Sequence, residues 1–158
     1  MKRDSPVVPE MRERYFTLEQ ADALVPELAQ RMKLVLQLHV HLRTMCRALL
    51  REGVRVTPES LASGEQPDVA GHARMRVQHA RGLYETVREA IAGIEALGAV
   101  VKDVEQGLVD FPSWLDGARE VQLCWRVGET RIEWYHDLDA GFGGRKSTAG
   151  RSFCAARS

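Results

Sequence analysis

Three residues in the second half of the chain, His136, Asp103 and Asp110, carry the side chains of a divalent-metal site. In an alternating strand from Arg131 to Leu138, His136 shares a face with Ile132, Trp134 and Leu138, which sets an imidazole at the edge of an apolar surface. A ring so placed loses hydration and needs a partner. Asp110 shares its strand face with Leu108, and Asp103 shares its face with Val101, so all three side chains are expected in one partly desolvated hollow. Glu105, Glu133, Asp137 and Asp139 fall nearby. Carboxylates gathered around an imidazole repel one another until a cation such as zinc, iron or manganese relieves them. The competing reading makes the acids turn residues and surface charges and gives His136 a backbone carbonyl. No Cys-x-x-Cys or His-Glu-x-x-His spacing decides between the two.

Other residues offer weaker chemistry. Cys124 points with Gln122 and Arg126, and an arginine close to the thiol would lower its pKa, but no base is identifiable for a nucleophile. His39 and Cys46 lie seven residues apart on one helix face, two turns distant, and read as core positions; His72 and His79 repeat the spacing and read as solvated. Asp137 to Gly141 lacks the third ligand and closing glutamate of a calcium loop. The glycines of Gly141-Phe142-Gly143-Gly144 precede no helix, which argues against a phosphate loop. Arg43, Arg47 and Arg51 form an i, i+4 ladder beside which an antiparallel partner helix would set Arg74, Arg76 and Arg81. That basic tip is an alternative site, for an acidic partner, protein or nucleic acid, held by Arg43, Arg47, Arg51, Arg74 and Arg81. The opposite end is expected to collect Glu19, Asp22 and Glu27 with Glu85, Glu89, Glu95, Asp103 and Glu105.

These residues need a scaffold. Residues 1–14, with Pro6 and Pro9 among charges, read as a flexible lead. Thr17 and Gln20 make a capping box, after which Ala21, Val25, Leu28, Met32, Val35, His39, Leu42, Cys46 and Leu49 trace a coiled-coil-like seam ending near Gly53. Val54 to Pro67, with Pro58, Ser60, Ser63, Gly64 and Pro67, reads as a mobile surface connector. A second seam, Ala73, Val77, Ala80, Tyr84, Val87, Ile91 and Ile94, starts near Asp68 and stops at Gly98. The two seams predict an antiparallel hairpin over 15–98, although a homodimer would bury the same stripes. After Gly98 the period falls to two, giving strands at Ala99–Glu105, Leu108–Phe111, Glu120–Val127 and Arg131–Leu138. The expected fold is therefore α+β and mostly helical, a long antiparallel helical hairpin followed by a small antiparallel β-meander over 99–142. It forms a single domain over 15–145, with residues 146–158 a disordered tail.

Tyr15 to Pro26 (Tyr-Phe-Thr-Leu-Glu-Gln-Ala-Asp-Ala-Leu-Val-Pro) resembles the opening of the uncharacterised bacterial family catalogued as domain of unknown function 2203. Val101-Lys102-Asp103, Gly107 to Pro112, Leu123 to Glu129 and His136 to Phe142 resemble its successive signatures. The chain departs from that pattern at Thr130-Arg131, in place of Pro-Glu, and at Trp134-Tyr135, where the aromatic order is reversed. The resemblance implies a family and no activity.

Totals bound the rest. At 44% hydrophobic and 28% charged the composition is that of an ordinary globular protein. A formal charge of zero supplies no global attraction to nucleic acid or anionic membrane. Three distant cysteines suit reduced thiols, no apolar run reaches the roughly 20 residues of a membrane span, and the start lacks a secretion signal. The expectation is a cytoplasmic, homodimeric accessory protein, non-enzymatic, taking a divalent metal or small ligand at its β end. An interaction module at the basic tip and a metal-dependent hydrolase are the alternatives.

Overall fold

The computed structural model describes residues 14–65 and 67–158. Helix α1 runs from Leu18 to Arg51 and opens as expected: the Gln20 amide donates to the Thr17 hydroxyl at 3.1 Å, and the Gln20 side chain accepts from the Thr17 amide at 3.0 Å. Reciprocal capping satisfies two of the backbone donors that a helix start leaves open. Seven seam positions, Ala21 through Leu49, are buried; His39 and Cys46 are half-buried at the same seam.

A short helix, α2 (Pro58–Ser63), and a long one, α3 (His72–Glu95), follow. Their start and end differ from the sequence expectation. The connector is no free loop, because Val54, Val56 and Leu61 are buried with Leu42, Leu49, Val77 and Ala80 in a cluster that fills the tip of the hairpin. Thr57 caps α2 with Pro58 at its first position, a start that Pro tolerates since its missing N–H has no helical partner there. Helix α3 begins four residues later than Asp68, after Gly71, whose φ of 66° lies in the left-handed region. Antiparallel packing of α1 on α3 is visible in three cross-contacts: His41 rings with His79 at 5.9 Å, Arg76 pairs with Glu52, and Arg31 abuts Gly93. The seams thus fill each other within one chain. The exposed Leu34, Val40 and Leu50 of α1 lie roughly 80° or more apart around a 3.6-residue helix, so they leave no single apolar stripe.

Beyond Gly98 an antiparallel sheet forms from β1 (Val100–Asp103), β2 (Leu108–Leu115), β3 (Arg119–Arg126), β4 (Trp134–Asp137) and β5 (Lys146–Ser147), in that spatial order. A sixth strand, β6 (Phe153–Cys154), lies beside the far end of β2. The pleat divides the sheet. Val109, Phe111, Leu115, Val121, Leu123, Trp125 and Tyr135 face the helices and join Phe16, Val25, Leu28, Met32 and Ile94 in the main core. Asp110, Gln122, Cys124, Trp134 and His136 take the alternate positions and face outward.

Two further expectations are corrected. Residues 146–158 are not a disordered tail: Phe153 is buried 5.2 Å from the Tyr135 ring, and the Ser158 amide donates to the Gly117 carbonyl at 2.8 Å. A single aromatic in a polar run carries no periodicity, so the sequence hid a two-residue strand. Ile132 also leaves the face of His136, because β4 begins only at Trp134 and Ile132 packs into the main core. The proposed flexible lead over 1–14 lies outside the described residues except for Arg14, whose guanidinium stacks on Phe16 at 4.8 Å. No helix among the described residues is long and apolar enough to cross a membrane.

Candidate functional site

Strand β2 pairs with β3 so that Asp110 lies opposite Cys124, and β3 pairs with β4 so that Gln122 lies opposite His136. This register gathers Asp110, Cys124 and His136, which are only 2%, 2% and 6% exposed. Their ligating atoms all lie within 4.8 Å of one another, the one such group of three among the described residues.

The bonding of His136 fixes the chemistry. Its Nδ1 is 2.8 Å from the carbonyl of Asp137, which can only accept, so Nδ1 carries a hydrogen. Its Nε2 faces the Asp110 carboxylate at 3.0 Å. The hydrogen bond that the ring donates to the Asp110 carboxylate raises the His136 pKa above its usual value, while burial and the Lys102 charge act against the rise. Burial first, then the Asp110 charge, push the Cys124 thiol up to about 11, with Arg145 opposing. Asp110 therefore occupies the same imidazole nitrogen that a nucleophilic cysteine would need, and the thiol is held protonated. Both facts speak against a Cys–His–Asp nucleophile.

A cleft of about 310 Å³ opens above these groups, bordered by Lys102, Gln122, Leu138 and Phe142. One wall is made by Ala140, Gly141 and Phe142, at the start of the short turn Phe142–Gly144 that Arg145 follows. That guanidinium donates to the Cys124 carbonyl at 3.3 Å and to Glu129 at 2.7 Å, and it lies over the Phe142 and Trp134 rings at 4.7 and 5.4 Å. Asp137, next to His136, pairs with Lys146 at 3.0 Å and Arg119 at 3.3 Å, which anchors the strand that presents the imidazole.

Of the three residues expected to meet, His136 and Asp110 do and Asp103 does not. The pairing shifts by one residue between Val101 and Asp103, a β-bulge, and Val100, not Val101, shares the outward face of Asp110. The Asp103 carboxylate instead accepts the Gln106 amide at 3.0 Å and closes the β1–β2 turn. Cys124 takes its place in the group. A signal for this existed: a hairpin folded at Gly117 pairs residues equidistant from it, and Asp110 and Cys124 are each seven residues away. Arg145 had no such signal, whereas alternation already set Gln122 on the face of Cys124.

The basic tip is partly neutralised within the chain. Arg43 pairs with Glu105 at 3.2 Å, alongside His39, and so lies against the β1–β2 turn and not at the tip. Arg81 donates to the Glu65 carbonyl at 2.7 Å, while Arg47, Arg51 and Arg74 enter no ion pair among the described residues.

The whole arrangement lies within one family pattern. Residues 14–148 match the family described as "Uncharacterized conserved protein (DUF2203)", and the chain belongs to it. No curated protein and no solved structure matches the chain.

Proposed function

We propose that this DUF2203 protein is an accessory protein that binds one divalent transition metal through His136 Nε2, the Asp110 carboxylate and the Cys124 thiolate, with the remaining position facing the cleft. The observation that carries this reading is the commitment of His136 Nδ1 to a backbone carbonyl, which leaves Nε2 aimed into a buried group of ligands. Ligating histidines are oriented in this way by their second nitrogen. A thiolate beside an imidazole and one carboxylate suits zinc or iron, and its softness removes manganese from the expected set. Binding would displace the proton shared by His136 and Asp110 and the thiol proton of Cys124, so that charge repulsion is exchanged for coordination.

Three protein ligands and one open position are also the pattern of catalytic zinc. A hydrolase needs a base as well, and among the described residues the cleft is lined by no acid or imidazole beyond the ligands themselves. Binding is accordingly preferred over hydrolysis. Elemental analysis of protein purified without a histidine tag tests the reading. About one equivalent of zinc or iron is expected in the wild type and a small fraction of it in Cys124→Ser and His136→Ala. A wild type that carries no metal after growth and dialysis with zinc overturns it.

A further inference from the structure

The open position of the cleft has neighbours that chemistry of the metal alone does not use. Lys102 and Gln122 border it, and both also border a second cavity of about 630 Å³ that continues along the same outward face of the sheet. The two cavities adjoin at Lys102 and Gln122, so that a ligand spanning both as two lobes of one groove would have these residues at its waist. At that waist the Lys102 ammonium enters no ion pair among the described residues, and its charge is felt at His136. The Gln122 carboxamide oxygen is shut off from water and accepts no hydrogen bond among the described residues. A buried acceptor without a donor costs stability unless something supplies one, and such groups are rare without a reason. The second lobe widens between Ala96, Val100 and Pro112, with Arg14, Glu95 and Glu120 at its rim.

Resting on the metal reading, we infer that the groove takes a small organic carboxylate that bears a hydroxyl or N–H donor. The carboxylate lies between the open metal position and Lys102, the donor meets the Gln122 oxygen once that carboxamide turns its now enclosed oxygen toward the groove, and the rest of the molecule runs between Val100 and Pro112. A cation on each side explains the negative charge of the ligand, and the unfilled acceptor explains its donor. An aliphatic body fits the apolar walls of the second lobe. A simple inorganic anion would meet both cations but would leave the apolar walls of the second lobe unfilled.

Calorimetric titration of zinc-loaded protein with glycolate, acetate and inorganic phosphate tests this, with the zinc content measured before any anion is added. Glycolate should bind more tightly than acetate or phosphate. Lys102→Met should weaken glycolate about tenfold, as loss of a charge-assisted contact does. Gln122→Leu should remove the preference for glycolate over acetate while leaving zinc content and acetate binding as they were. Full zinc content with no heat from glycolate, or with equal glycolate affinity in the wild type and Lys102→Met, overturns the ligand inference alone. Protein that takes no zinc overturns the metal reading and this inference with it, and the two failures are told apart by the metal content.

Discussion

On β2 and β3 neighbouring residues turn to opposite faces and meet opposite demands. Phe111, Leu123 and Trp125 face the helices, where each buried carbon adds to one apolar core. Asp110 and Cys124, one step away in sequence, face outward and are as deeply buried as the core, yet carry groups that burial disfavours. Cover on the outer side comes from a single turn held by Arg145, not from a helix layer. A sheet that needed only stability would fill its outer face with apolar or solvated residues. The retention of an acid, a thiol and an imidazole there is a cost, and a ligand is the simplest thing to offset it.

The comparison is broken most severely from the inner side. Phe111→Ala removes a ring that stacks edge-on against Phe16 at 5.1 Å, and it should cost about 3–5 kcal/mol in urea denaturation. A loss near 1 kcal/mol would mean that the helices do not depend on the sheet. From the outer side, His136→Leu leaves the Asp110 carboxylate buried without its partner and should cost about 3 kcal/mol. The double change Asp110→Leu with His136→Leu should cost clearly less than the sum of the single changes, because no charge is then stranded. Strict additivity would show that the two groups do not interact.

The smallest effect is in pH. In chelator-treated protein the His136 pKa is raised in the folded state, so the native chain holds that proton more tightly than the unfolded one. The stabilisation is complete below the ordinary value of 6.5 and is lost as pH rises through the folded value. Metal binding needs the same groups deprotonated, so zinc should stabilise more as pH rises. Melting at pH 6 to 8.5 should therefore show opposite slopes with chelator and with zinc. Parallel slopes would contradict the assignment of His136 to both roles.

Much of the inner face was legible because periodicity reports burial. The capping box at Thr17, the seam from Ala21 to Leu49 and the switch to a period of two after Gly98 each follow from local pattern, and the α+β arrangement follows from them. The outer face was legible only where parity survived. His136 and Asp110 were identifiable, whereas β1 sets Val100 and not Val101 opposite Asp110, and the Asp103 carboxylate is taken up by the Gln106 amide in the β1–β2 turn. Cys124 was passed over because one cysteine without a paired spacing reads as inert until strand register places it opposite an acid. Phe153 and Arg145 act through contacts with distant strands, which no window of sequence contains.

The most direct measurement is a set of thermal melts of untagged protein with chelator and with zinc, for the wild type and for Cys124→Ser. At a hundredfold excess over Kd, zinc should add about 2.7 kcal/mol and raise the wild-type midpoint by about 5–10 °C. Cys124→Ser, isosteric but without the thiolate, should keep its fold and lose most of that rise. Identical wild-type midpoints with chelator and with saturating zinc would contradict the account, leaving Asp110, Cys124 and His136 as a polar cluster of the sheet alone.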